Sequence, residues 1–246
     1  MDRMIYTAMT GLKHILEQQA TNSHNLANVS SNGFRAQIDS FRAVPVQGDG
    51  LPTRAFVVDA TVGTDFTPGV IQTTNRELDV AIPDNGWFTV TRPDGTEAYT
   101  RNGSLKISEN GLLQTTSGLS VMGDGGPITV PPDVSISIGK DGTISSTSNN
   151  TMPGPATILG RLKLVNPPDS TLVRGEDGLF SASDGSTIPA DASVALVSGA
   201  LEGSNVNVVD SMVNMINLAR QFDIQMKLMQ NAENNANKAG QILSLS

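Results

Sequence analysis

The chain has 246 residues, of which 24 are glycine and 13 are proline, and it contains no cysteine. The lack of cysteine excludes disulfides and thiolate metal sites. The formal net charge is −8 and no run of four basic residues occurs, which argues against a protein that binds the phosphate backbone of nucleic acid.

An N-terminal helix is predicted within residues 1–42, because residues 1–33 hold a single glycine before Gly33 and no proline. Asn32-Gly33 predicts its end, since glycine accepts the left-handed conformation that closes helices. Apolar residues recur at spacings of 3 and 4, interrupted by Gln19 and Ser23, which predicts one apolar face. We call this face the N-terminal stripe; its members are Ile5, Met9, Leu12, Leu16 and Leu26.

The middle of the chain is predicted to be rich in β-strands. Residues 43–67 are predicted as a loosely ordered linker, residues 68–198 as a central all-β domain, and Ser145 to Pro155 as a surface loop. Short apolar runs, such as Gly86 to Thr91, alternate with turn dipeptides, which favours antiparallel hairpins. The turn dipeptides are Asp94-Gly95, Asn110-Gly111, Ser117-Gly118, Asp141-Gly142, Asp177-Gly178 and Asp184-Gly185.

Residues 199–246 are predicted to contain the C-terminal helix, which lacks proline from residue 204 onward. A helix over 207–243 would be roughly 55 Å long at 1.5 Å per residue, which is typical of a coiled-coil strand. We call its apolar face the C-terminal stripe; its members are Met212, Met215, Phe222, Met226, Met229 and Leu243. The predicted fold class is therefore α+β, with terminal helices forming a coiled-coil-like tube domain beside a central all-β domain. Two amphipathic helices that pack on the β region remain the alternative.

Residue patterns that carry catalysis or metal binding are scarce. The two histidines, His14 and His24, are ten residues apart on the predicted helix, cannot chelate one metal ion as an i, i+4 pair does, and are expected to be exposed. The Gly-x-Ser-x-Gly motif does not occur. Gly123 to Gly126 precedes a predicted strand and not a helix, so it indicates a hairpin turn and not a phosphate loop. We predict no catalytic, cofactor-binding or metal-binding residues, and hence a protein that is not an enzyme.

Three motifs resemble those of the flagellar basal-body rod and hook proteins. Two of them flank the predicted helices: Asn25, Leu26, Ala27 and Asn28 with Gly33 and Phe34, and then Leu201, Glu202, Ser204, Asn205 and Val206. The third combines Leu78 to Ile82, Gly86-Trp87-Phe88 and Tyr99 to Gly103. The sequence departs from the family pattern at His24 (usually Asn), Ser31 (usually Thr), Arg35 (usually Lys) and Asp223 (usually Glu). The matches follow the family order over nearly the whole chain.

The resemblance implies a structural subunit that polymerises through its terminal helices and transmits torque. The start of the chain, Trp87 and the C-terminal residues are most like the proximal-rod members. The implied partners are other copies of the chain, neighbouring rod proteins and the flagellar type III export apparatus, with no nucleic acid, no cofactor and no direct membrane span. The implied location is the rod that crosses the periplasm, reached without a cleavable signal peptide. A distal-rod or hook paralogue is the alternative within the family, and a carbohydrate-binding or adhesin-like β module is the alternative outside it.

Overall fold

A computed structural model describes residues 2–45, 55–148 and 155–244. These residues group into two compact units. We call the first the helical unit; it comprises residues 1–29, 36–65 and 206–246. We call the second the β-rich unit; it comprises residues 30–35 and 66–205.

The helical unit contains helices α1 (Asp2–Ala27) and α2 (Val208–Ser244) and strands β1 (Gln37–Pro45) and β2 (Ala55–Thr64). The strands pair antiparallel as a hairpin. The helices also run antiparallel, because Asn22 Nδ2 donates to the Ser211 carbonyl at 2.7 Å while a Cβ on Gly11 would lie 3.4 Å from Gln225 Nε2. None of the helices in the described residues is both long and apolar enough to cross a membrane.

The predicted fold class is wrong in its account of the termini. The structure has one N-terminal and one C-terminal helix beside a large β-rich body, and these helices do not form a coiled-coil-like domain of their own. Helix α1 also binds the hairpin, since Thr21 Oγ1 donates to Asp39 Oδ1 at 2.8 Å. The reason is that α2 is apolar on two sides, so a regular spacing of apolar residues could not identify the side that packs inside the chain.

The segment predicted as a linker, 43–67, contains the end of β1 and the whole of β2. The β-branched residues Val57, Val58 and Val62 favour a strand there. The predicted surface loop begins inside a strand that ends at Ser148, and its residues 149–154 lie outside the described residues. The boundaries of the four predicted domains stay a prediction.

The β-rich unit is built from short antiparallel strands. The strands are β3 (Ile71–Thr73), β4 (Val80–Ala81), β5 (Trp87–Thr91), β6 (Glu97–Thr100), β7 (Leu105–Ile107), β8 (Leu113–Thr115), β9 (Ser120–Gly123), β10 (Gly126–Pro127), β11 (Val134–Ile138), β12 (Thr143–Ser148), β13 (Thr157–Arg161), β14 (Leu164–Val165), β15 (Leu172–Arg174), β16 (Phe180–Ala182), β17 (Val197–Ser198) and β18 (Ala200–Glu202). One sheet has the order β15-β16-β6-β5-β9-β8-β7, with β10 paired to β9 and β14 paired to β5. A second sheet has the order β11-β12-β13, and two further pairs join β17 to β4 and β18 to β3.

The six predicted turn dipeptides are confirmed as turns. In each, the glycine N–H donates to the carbonyl three residues earlier, as Gly95 does to Arg92 at 2.9 Å, and the glycine has a positive φ. Several aspartates strengthen these turns: the Thr143 hydroxyl and main-chain N–H donate to Asp141 and lower the pKa of its carboxyl. The predicted hairpin at 123–126 is also present, as the turn between β9 and β10.

Strand β5 separates the two parts of the apolar core. Phe88 and Val90 belong to a large cluster with residues such as Leu105, while Trp87 joins Tyr99 in a smaller one. Successive side chains of a strand point to opposite faces, which explains why adjacent residues enter different clusters. The β-rich unit is therefore held from both faces of its central strand.

Candidate functional site

The most exposed apolar surface of the helical unit is one side of α2. We call this side the outer face of α2. Its residues are spaced three, four or eight apart, which places them on one helical face. They are Val209, Met212, Val213, Ile216, Ile224 and Leu228, and they remain 67%, 51%, 51%, 54%, 58% and 43% exposed.

The opposite side of α2 is covered within the chain. Ser211 and Leu218 are buried, and Met215, Phe222 and Met229 are half-buried between and beyond them. Their spacings of four, three and seven residues define a second face of the same helix. Helix α2 is thus apolar both where it meets its own chain and where it meets solvent.

Helix α1 has a smaller exposed apolar side, which we call the outer face of α1. It consists of Tyr6, Met9 and Leu16, which are 58%, 54% and 52% exposed. Leu12 and Ile15, by contrast, are buried. The helix therefore carries exposed apolar side chains next to buried ones.

The structure divides the predicted stripes between these environments. Met9, Leu16 and Met212 lie on outer faces; Leu12 is buried; Leu26, Met215, Phe222, Met226 and Met229 are half-buried. The side chains of Ile5 and Leu243 lie outside the described part of the chain. Ile224 and Leu228 on the outer face were missed, although both are apolar and spaced at helical intervals from Ile216.

The first family motif begins in the helical unit, where Asn25 acts as a side-chain bridge. Its Nδ2 donates to the Gln37 carbonyl at 2.8 Å and its Oδ1 accepts from the Gln37 N–H at 2.9 Å. This pair of hydrogen bonds imitates a neighbouring strand at the start of β1. Leu26 and Asn28 of the motif are half-buried, whereas Ala27 is exposed.

The remaining motif residues meet around Glu202, which is 1% exposed. Glu202 Oε1 lies 2.7 Å from Arg35 Nη1, and Glu202 Oε2 lies 2.7 Å from Arg101 Nε. Oε1 also accepts from the Gly69 N–H at 2.9 Å. We call Arg35, Arg101 and Glu202 the Glu202 cluster. One buried carboxylate here serves two buried guanidinium groups.

Arg101 extends this cluster into the loop before β5. Its guanidinium donates to the carbonyls of Ile82, Asp84 and Gly86 at 3.1, 2.9 and 2.6 Å. Burial lowers the pKa of Arg101 from its ordinary value, and the nearby Glu202 carboxylate opposes that shift. Arg101 therefore positions three main-chain carbonyls and balances the charge of Glu202 at once.

Main-chain hydrogen bonds also connect the segment around Arg35 with the segment around Glu202. The Gly33 N–H donates to the Glu202 carbonyl at 2.8 Å, and the Asn205 N–H donates to the Phe34 carbonyl at 3.3 Å. Phe34 is buried, with the Arg174 guanidinium 4.6 Å from its ring centroid. Leu201, Ser204 and Val206 are half-buried. Sequence reasoning placed Arg101 in the third motif, Tyr99 to Gly103, but gave no sign that it would contact Glu202 of the second.

Gly69→Ala is expected to destabilise the β-rich unit, because a Cβ on Gly69 would clash with the Gly203 carbonyl oxygen. Overpacking of this kind costs about 1–3 kcal/mol. Urea unfolding of the purified chain measures the loss. Gly125→Ala is the matched control, since a Cβ there meets nothing within 4 Å; equal losses for both variants would contradict the close approach.

Among residues 2–45, 55–148 and 155–244, no three histidine or acidic side chains lie together as a candidate metal site. His24 is exposed as expected, but the prediction for His14 is wrong: it is 9% exposed, and its ring lies edge-on to Phe41 with centroids 5.5 Å apart. A histidine packed on an aromatic ring in this way has a structural role.

Two family models match the chain. Residues 81–146 match the D1 domain of the flagellar hook proteins FlgE/F/G, and residues 197–242 match the C-terminal region of the flagellar basal-body rod proteins FlgEFG. The flagellar basal-body rod proteins FlgF of Salmonella typhimurium and Escherichia coli are each 46% identical to the chain over 252 residues, covering 100% of both sequences. The chain belongs to the flagellar basal-body rod protein family.

Within the family the chain is most like FlgF. A basal-body rod protein named FlgG, from Buchnera aphidicola, is 31% identical over 262 residues and covers 97% of the chain. The two FlgF relatives named above, at 46% identity, are more similar to the chain than this FlgG. The chain is accordingly a structural subunit of the bacterial flagellar rod, and the Glu202 cluster lies at motifs that the sequence analysis had assigned to this family.

Proposed function

We propose that the chain enters the flagellar rod by packing the outer faces of α2 and α1 against neighbouring subunits. The observation that carries the proposal is the outer face of α2, which carries six exposed apolar side chains between Val209 and Leu228, with the exposed Arg220 between Ile216 and Ile224. At 1.5 Å per residue this face is roughly 30 Å long. An exposed apolar surface of that length marks an interaction site on a soluble domain.

The partners proposed for these faces are other copies of the chain and adjacent rod proteins. Apolar burial supplies the driving force, because a fully buried aliphatic side chain contributes about 1.5–3 kcal/mol relative to an exposed one. Helix α2 suits this role because its other face is already held inside the chain. A subunit fixed on both sides of a long helix can pass torque to its neighbour without bending at that helix.

The finer details of location and delivery belong to the same proposal. We place the chain in the proximal part of the rod, crossing the periplasm, and we infer export through the flagellar type III apparatus. The identity to FlgF relatives supports the proximal position and, with it, delivery by the flagellar export apparatus. We further propose that the chain is not an enzyme and that its role is structural.

Two alternatives receive less support. A distal-rod or hook paralogue is less well supported, because the chain is 46% identical to FlgF of Salmonella typhimurium and 31% identical to FlgG of Buchnera aphidicola. A carbohydrate-binding module would need an exposed aromatic platform, but Trp87, the single tryptophan, is 4% exposed. The rod subunit remains the better proposal.

Deletion of the gene is expected to leave basal bodies without the outer rod and hook. Electron cryotomography of the cell envelope measures this, and the intact gene should restore complete basal bodies. A rod stump that ends near the inner membrane supports the proximal position. Complete and motile flagella in the deletion strain would overturn the proposed function.

A further inference from the structure

The Glu202 cluster joins the two ends of the β-rich unit. This unit begins with residues 30–35 and ends at residue 205. Arg35 is the last residue of the first segment, and Glu202 lies in β18, close to the end of the unit. Their ion pair, with Arg35 Nη1 and Glu202 Oε1 at 2.7 Å, therefore links residues that are farther apart in sequence than nearly any other pair in the unit.

The two buried positive charges of the Glu202 cluster are balanced only when Glu202 is in place. Arg35 and Arg101 are both 3% exposed and Glu202 is 1% exposed. If Glu202 were absent, two buried guanidinium groups would lose the one carboxylate that contacts both of them. Unpaired charges are strongly unfavourable away from water, so the same packing would not be stable without this carboxylate.

Main-chain hydrogen bonds connect the same two ends. The Gly33 N–H donates to the Glu202 carbonyl, and the Gly69 N–H donates to its carboxylate. Strand β18 also pairs with β3, with Glu202 opposite Ile71. Residues 30–35, the segment around Gly69 and strand β3 are thus each joined to the strand that ends at Glu202, and none of these contacts can form before that strand is in place.

We infer that Glu202 is a closure residue: the β-rich unit reaches its folded state only when residues 30–35 and residues 199–205 are joined through its carboxylate. Folding of the unit is then a single event that needs both of its chain ends. Until β18 has joined the rest of the β-rich unit, the whole unit stays unfolded. This inference concerns folding, and it stands or falls independently of the proposed function.

Native-state hydrogen exchange on the intact protein tests the inference without any mutation. Closure through Glu202 requires that the amides of Gly33 and Gly69, which both donate to Glu202, open in the same cooperative event as the core amides of Thr89 and Leu113. We expect the four amides to share one opening constant and one dependence on denaturant. If Gly33 and Gly69 exchanged a hundredfold faster than the core amides, the ends would open on their own and the inference would be wrong.

The variant Glu202→Gln supplies a second test, because it keeps the side-chain shape and removes the charge. We expect the closing equilibrium constant to fall at least a hundredfold, and by the same factor at Gly33, Thr89 and Leu113. The matched control is Glu97→Gln, which breaks the ion pair between Glu97 and Lys163 at 2.8 Å inside the unit. A loss confined to residues 199–205, or an equal loss in the control, would overturn the closure role of Glu202.

Discussion

Ile216→Asp is expected to abolish rod assembly while leaving both units of the monomer folded. Ile216 is 54% exposed at the middle of the outer face of α2, so an aspartate there stays hydrated in the free subunit. Exposed substitutions of this kind usually change stability by less than about 0.5 kcal/mol. In an assembled rod the same carboxylate would replace an apolar contact with a neighbouring subunit, and burying a charge there is unfavourable even with Arg220 one turn away.

The measurement is complementation of the deletion strain, scored by motility and by basal-body images, with circular dichroism of the purified variant to show that it folds. Gln221→Asp is the matched control, since it adds the same charge at an exposed position on another side of α2. We expect Gln221→Asp to restore motility. Normal rods built from Ile216→Asp would contradict the assignment of the outer face to an interface. If neither variant restored motility, the added negative charge anywhere on α2, and not its place on the outer face, would be the cause.

Arg101→Met is expected to lower the free energy of unfolding of the β-rich unit by about 3–5 kcal/mol, the range for breaking a buried ion pair. The change removes the partner 2.7 Å from Glu202 Oε2. It also removes the donor to the carbonyls of Ile82 and Gly86, both within the buried part of the unit. Since domains are stable by only about 5–15 kcal/mol in total, this loss is large.

Urea unfolding followed by the fluorescence of Trp87, the single tryptophan, measures this effect. The midpoint and slope are the quantities to compare, because the Arg101 guanidinium lies 5.9 Å from the Trp87 ring and its removal can change the intensity itself. The free energy of unfolding of Arg101→Lys should lie between those of the wild type and Arg101→Met, since lysine keeps the positive charge without the planar guanidinium. Arg92→Met is the control: it breaks the more exposed pair with Asp177 and should cost less than about 1 kcal/mol. If Arg92→Met and Arg101→Met lowered the free energy of unfolding equally, burial of the ion pair would not explain the effect at Arg101.

The turns and many of the strands could be predicted because their causes are local. An Asp-Gly or Asn-Gly dipeptide supplies both the side-chain acceptor and the positive φ that a tight turn needs, whatever surrounds it. The strand predicted from Gly86 to Thr91 is present as β5, and the hairpins on either side of residues 94–95 and 141–142 follow their turns. The family motifs likewise needed only the order of residues along the chain.

The buried side of α2 could not be predicted from spacing alone. Leu218 and Ile216 are both aliphatic and two residues apart, yet Leu218 is 9% exposed and Ile216 is 54% exposed. Only the positions of α1 and the hairpin distinguish them. The same reason explains the incorrect coiled-coil-like domain and the incorrect exposure of His14, which packs against Phe41 of β1.

What residue order alone decides about this protein is its family and its turns, because each depends on residues that are close together in sequence. The predicted end of the first helix at Asn32-Gly33 is wrong, since α1 ends at Ala27. What the tertiary structure decides is which residues far apart in sequence share one environment. Arg35, Arg101 and Glu202 have no periodicity or spacing in common, and each alone would pass for a surface charge. They become a buried cluster because the fold brings both ends of the β-rich unit to one point, where two cations are stable only beside a shared carboxylate.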